Sequence, residues 1–260
     1  MTDQIHVYVS PSADDSRSPC PALNTLANHG YLLSAPTSFI TSACSLVSVD
    51  RPRNGREITP KAVVHALQEA YQLSTPLAYF LSYVGFGLLG QFREVSLTDI
   101  GRHNMVEHDA SISHVNAFGK EYAPTLVNFT LFDEFVHDSK TGLFITAEDI
   151  ATSRVRRELD SDSMIDAVHQ EIARGEAALV LSIFGDDGFR VPLEDIVSFW
   201  RDEQLPDGWK PSRTTTLRGT VGLSTDIRKA MKKLRATKSL KTSLPSNTAQ
   251  HNPLVVQEAS

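Results

Sequence analysis

At 260 residues the chain is long enough for one large domain, or two small ones, with a sizeable buried core. Its composition, 41% hydrophobic and 22% charged, is that of an ordinary globular protein, and a net charge of −6 argues against nucleic acid as a partner of the whole molecule. Two cysteines, Cys20 and Cys44, exclude a disulfide framework and a zinc site built mainly of cysteines, and no apolar run reaches the length of an integral membrane span.

Residues 1–18 are polar and rich in proline, serine and aspartate, and read as an extended N-terminal arm with neither the basic nor the apolar part of a secretory signal. By this reading the compartment stays open between secreted and intracellular. Pro19-Cys20-Pro21 then opens a short helix over Ala22–Asn28 that ends at Gly30, the proline-first, glycine-last punctuation of a helix. Residues 33–50 are Ser/Thr-rich, β-branched and almost uncharged, unlike their surroundings, and 51–57 are turn-like. Helical periodicity follows. Residues 60–73 carry an apolar face at Val63, Val64, Leu67 and Tyr71, and 75–89 are so apolar that a buried helix is predicted. Thr146 with Glu148 and Asp149 starts another helix, 166–184 form a long one with an apolar second half, and 192–203 form one more. Alternating strands are not evident, so the predicted fold class is a single all-α domain. Residues 225–260 hold seven Lys/Arg against two acids, a net of +5, which leaves −11 on the rest. They read as a basic, polar, loosely attached or disordered tail, more readily a solvated segment than a helix docked on an anionic membrane.

Three clusters carry chemistry. Cys20 stands just before a helix, at the positive end of its dipole, where the N–H groups of Ala22 and Leu23 point back at the sulfur and favour thiolate over thiol. Such a soft, hydrogen-bonded thiolate suits a haem iron; a bridge from Cys20 to Cys44 would preclude that role. Taken alone, Cys-Pro is more often a buried structural cysteine beside a helix cap. In Glu107-His108-Asp109-Ala110-Ser111, Glu107 and Ser111 are four apart and on a helical turn would share a face. A carboxylate, a hydroxyl and a backbone carbonyl make a hard oxygen site for magnesium, calcium or manganese, while His108 is left to orient or accept protons. The plain alternative is an acidic helix N-terminus with a solvated face. A zinc site from His103, His108 and His114 is disfavoured, because spacings of five and six do not suit two ligands on one helix. Glu176 stands at the edge of an apolar helical run, where desolvation would raise its proton affinity and fit it for proton transfer near neutral pH; the alternative is an ordinary boundary glutamate. Asn128-Phe129-Thr130 is a glycosylation sequon of consequence only in a secreted chain.

Together these segments resemble the haem-thiolate haloperoxidase family, the chloroperoxidases and short unspecific peroxygenases of fungi. PCPALNTLANHGYL at 19–32 is similar to the family's proximal signature, EHDAS at 107–111 to its distal signature, and EAALVLSIFGD at 176–186 to the helix with the catalytic glutamate. VPLEDIVSFWRDEQLPDGW at 191–209 resembles the segment that closes the domain, so the likeness covers roughly residues 15–212. It implies a peroxidase domain over 19–224 with haem b on Cys20. It also implies a Mg2+ or Mn2+ ion held by Glu107, the His108 carbonyl and Ser111. Glu176 would be the acid–base residue, oriented by His108, which Asp109 supports; Val106 and Leu179 would line the distal pocket. Glu176 would then take a proton from hydrogen peroxide and return it to the departing oxygen, and the substrate would be a small organic molecule or, less readily, a halide. The family runs almost directly from a segment like Tyr31-Leu32 to one like 52–59, so residues 33–50 are an insert, either a surface loop or a retained intron. The alternative function is a catalytically impaired haem-binding homologue whose insert disturbs the proximal side. Substrate, oligomeric state and the choice of Mg over Mn are not legible in the sequence.

Overall fold

The first helix begins where proline permits and stops where glycine does. In a computed structural model that describes residues 6–32, 53–161 and 165–243, α1 spans Pro21–Asn28, with proline at its first position and Gly30 at φ +72° just beyond its end. The insert 33–50 with Cys44, and residues 244–260, fall outside the described residues.

The same local chemistry sets the next elements. Thr59 caps α2 (Pro60–Tyr71) by accepting the Ala62 N–H, and Ser74 precedes α3 (Thr75–Leu88). A short α4 (Leu97–Ile100) follows, and then a long irregular loop leads to α5 (Phe129–His137). The sequon asparagine, Asn128, caps α5 by accepting the Leu131 N–H. Thr146 and Asp149 form a reciprocal capping box for α6 (Ala147–Asp160), and Asp166 caps α7 (Ala167–Phe184). Two residue pairs, Phe144–Ile145 (β1) and Val191–Pro192 (β2), join antiparallel with Ile145 opposite Val191. The helix predicted over 192–203 is α8 (Leu193–Ile196) continued by a π-helical turn, Val197–Arg201. The last element is α9 (Leu217–Ser243). The fold is all-α, with the two-residue strands as its only sheet among the described residues.

Two expectations need correction. Helix α3 is not buried all round: Leu77, Ala78, Ser82 and Phe86 face inward, whereas Tyr79, Phe80, Tyr83, Val84 and Leu88 stay 40–51% exposed. An uncharged helix is not thereby a core helix, because only one of its faces meets α2. The basic segment does not begin a tail at 225 either. α9 crosses that point, packs over α6 and α7, and buries Leu223, Ile227 and Met231 at four-residue spacing. Arg228 pairs with Glu171 of α7 and Arg235 with Glu158 of α6, so these basic residues face acids of the body. Lysine and arginine on the outer face hid an apolar stripe of only three residues.

The core runs without a break from α1 through α2, α7 and the π turn. Tyr71 sits at its centre, fully buried, edge-on to Phe184, Phe199 and Trp209, and donates its hydroxyl to the Ala22 carbonyl at 3.0 Å. That bond ties α2 to the first turn after Cys20.

Candidate active site

A cavity of about 250 Å³ opens inside this core, and its wall is mostly apolar. The start of α1, the inner face of α3, the loop at 106–114 and the middle of α7 enclose it. Cys20, Ala22, Leu23, Val106, Glu107, His108, Ser111, Glu176 and Leu179 all line it, so nine residues from three separate motifs meet in one space. Asp109 does not line it but belongs to a smaller polar pocket behind His108.

Cys20 is the N-cap of α1, half-buried, and lines the cavity. The N–H groups of Leu23 and Ala22 face its sulfur and pull its pKa down, as the sequence predicts. Burial is stronger, and with the charge of Glu176 it pushes the thiol up to about 12. The N–H groups at the helix start therefore do not by themselves offset burial. That donor set, one soft sulfur in an apolar cavity and one carboxyl–imidazole pair, fits a haem iron with a thiolate ligand.

Glu176 projects from α7 into the cavity with its side chain 54% exposed. Its Oε2 lies 3.6 Å from Nε2 of His108, whose side chain is 6% exposed. Nδ1 of that ring donates to the Asp109 carbonyl at 2.7 Å, which fixes the tautomer and leaves Nε2 for Glu176. Burial lowers the His108 pKa, but the contact with Glu176 outweighs it and the net shift is upward. Asp109 thus supports His108 through its backbone; one oxygen of its carboxylate accepts the Ala117 N–H at 2.9 Å.

The distal loop corrects the helical turn expected at 107–111. Residues 101–116 are irregular, and Ala110 sits at φ +58°. Arg154 donates to the Ala110 carbonyl at 2.6 Å and Arg157 to the Ser111 carbonyl at 2.8 Å, so α6 holds the loop where backbone bonds do not. His103 donates Nδ1 to Glu107 at 2.8 Å, a partner the sequence reading missed because His103 was weighed only as a zinc ligand. Burial raises the Glu107 pKa, with His103 opposing it. Ser111 Oγ accepts the His114 N–H at 3.2 Å. His103, His108 and His114 each have separate partners, and no cluster of three His, Cys, Asp or Glu suited to a metal occurs among the described residues.

Comparison with known proteins bears on this arrangement. The family profile described as Peroxidase, family 2, matches residues 6–34 and 52–214. The chain belongs to that family. An aromatic peroxygenase of Coprinellus radians is 26% identical over 239 residues, covering 80% of this chain and 83% of that protein. An aromatic peroxygenase of Cyclocybe aegerita is 26% identical over 80% of this chain but 58% of its own length. A chloroperoxidase of Leptoxyphium fumago is 30% identical over 56% of this chain and 35% of its own. As a family 2 peroxidase the chain is an oxidoreductase that uses peroxide, with haem on a thiolate. The catalytically impaired alternative has no support. The profile passes over residues 35–51, which overlap the segment 33–50 that interrupts the family pattern. No described helix is long and apolar enough to cross a membrane.

Proposed function

We propose that this family 2 peroxidase oxygenates or oxidises small organic molecules with hydrogen peroxide, with Cys20 as the sulfur that would hold the haem iron and Glu176 as the acid–base group. The observation that carries the reading is that Cys20, Glu176 and His108 line one apolar cavity. Bound haem would supply the oxidising chemistry, with peroxide as the two-electron acceptor. The chain's own residues supply the rest. Ala22 and Leu23 give the N–H groups that restrain charge on the sulfur. Glu176 takes a proton from peroxide at its carboxylate and returns it to the departing oxygen, which leaves as water. His108 holds that carboxylate in place from Nε2, its own ring fixed by the Asp109 carbonyl. Val106 and Leu179 shape an aliphatic wall, which favours organic substrates over halide.

Glu107, the His108 carbonyl and Ser111 are the proposed ligands of a Mg2+ or Mn2+ ion. Glu107 and Ser111 line the cavity, and their oxygens are hard donors. The ion would compete with His103 for Glu107.

The test is the absorption spectrum of the haem-loaded, reduced, carbon-monoxide-bound protein. A strongly red-shifted Soret band, abolished in Cys20→Ala, is the expected result. An imidazole-type band, or a red-shifted band that survives the substitution, overturns the ligand assignment.

A further inference from the structure

Glu203 does not line the cavity, yet it is tied to the loop that carries Cys20. It follows the π turn at φ +52°, a left-handed conformation that costs a non-glycine residue energy and persists only when its surroundings hold it. They do so at several points. Asn28 donates Nδ2 to the Glu203 carbonyl at 3.2 Å, the Leu205 N–H donates to Nε2 of His29 at 3.0 Å, and the Gln204 N–H reaches the Ser198 carbonyl at 2.9 Å. The strained residue is thereby clamped to α1, and its carboxyl is delivered to Asn24.

Asn24 is wholly buried one helical turn beyond Cys20. Its Nδ2 donates to Glu203 Oε1 at 2.5 Å and to the Ser18 carbonyl at 2.7 Å. Its Oδ1 accepts the Ser18 N–H at 2.9 Å and shares the Ser18 hydroxyl, 3.1 Å away, with the Cys20 carbonyl at 3.3 Å. Both donors and both lone pairs are used, so the amide has one orientation. Ser18 Oγ accepts the Cys20 N–H at 3.2 Å. Glu203, Asn24, Ser18 and Cys20 thus form one hydrogen-bonded chain that ends at the Cys20 backbone N–H.

We propose that Glu203 is a positioning residue for the axial sulfur: through Asn24 and Ser18 it fixes the angle at which the Pro19-Cys20-Pro21 loop presents Cys20 to the haem iron. The inference rests on Cys20 being that ligand. Without an acceptor at 203, one Asn24 N–H is buried unpaired, and the amide or the loop must shift to repair it. The charged groups around Glu203 are Arg17, which faces it with Asp15 alongside, and Cys20 itself. Burial pushes the Glu203 carboxyl up to about 7, against Asn24 and Arg17, so its role has to survive protonation. A hydrogen-bond acceptor meets that requirement in either state.

Wild type, Glu203→Gln, Glu203→Leu and Ser18→Ala are compared by haem titration and by the Soret band of the reduced carbon-monoxide complex. The Gln side chain still offers an oxygen to Asn24, so Glu203→Gln should keep the wild-type share of thiolate-type band and the wild-type haem affinity. Glu203→Leu should weaken haem binding about tenfold or more, the usual cost of losing a support behind a metal ligand, and move much of the loaded protein to a shorter-wavelength band. Ser18→Ala, a mild change that tests the chain should the leucine variant not fold, should move a smaller part. Glu203→Leu with a lower melting temperature but an unchanged band would reduce Glu203 to a structural residue and refute the proposal. So would Glu203→Gln behaving like Glu203→Leu, which would assign the effect to charge, or Ser18→Ala with wild-type band and affinity. A wild type with no thiolate-type band refutes the Cys20 assignment itself, and the inference with it.

Discussion

Ile227→Ala tests whether the basic C-terminal segment belongs to the body of the protein. Ile227 is fully buried where α9 crosses α6 and α7, between Leu223 and Met231 on the same stripe. Truncation removes its methylene and two methyl groups from a site closed on all sides and leaves a cavity, at a cost of about 2–5 kcal/mol. In a chain of this size each kcal/mol lowers the melting temperature by roughly 2–4 °C, so a loss of about 3 kcal/mol predicts a fall of roughly 6–12 °C. Val221→Ala on the same helix is the control: Val221 is 55% exposed, and its truncation should cost less than about 0.5 kcal/mol. Both variants share almost the same helix propensity change, so their difference reports packing alone. The assay is thermal unfolding followed by far-ultraviolet circular dichroism, with urea titration for the midpoint. Equal shifts below about 2 °C for both variants would show α9 to be loosely attached and would refute the packing argument.

Other consequences follow from the same geometry. Glu176→Gln should lower the His108 pKa, because it removes the carboxylate that outweighs burial and leaves the Asp109 carbonyl to oppose it; an imidazole titration by NMR that does not move would contradict the pair. Leu179→Phe should narrow the cavity and cut turnover of a bulky organic substrate while sparing a small one, and unchanged turnover of the bulky substrate argues against Leu179 as part of the wall. Glu171 ties α7 to α9: burial opposes its ionisation, but hydrogen bonds from Arg174, Ser224 and Arg228 prevail and hold its pKa at about 2. Its folded pKa lies below the ordinary 4.5, so its contribution is present above about pH 4.5 and lost as pH falls toward 2. Glu171→Gln should therefore flatten the acid limb of the stability curve, and an acid limb identical to wild type in urea melts across that window would dismiss the linkage.

What neighbouring residues decide was legible in the sequence. Pro21 and Gly30 bound α1, Thr146 and Asp149 cap α6, and Asp166 caps α7, because each of these contacts spans four residues or fewer. The N–H groups facing Cys20 follow from the same short-range geometry. What distant segments decide was not legible. The turn at 107–111 could not be told from a helix, since the carbonyls of Ala110 and Ser111 are satisfied by arginines 44 and 46 residues away. The thiol's high pKa comes from burial by α1, α2, α3 and α7 together, which no motif encodes. Glu203 meets Asn24 across 179 residues, and Arg228 meets Glu171 across 57. Local hydrogen bonding and backbone preference are written in adjacent positions, whereas burial and long-range pairing exist only once the helices have packed. The sequence by itself thus determined where α1, α2, α6 and α7 begin and which residues are candidates for the site, and tertiary packing alone decided how buried each is and what holds it in place.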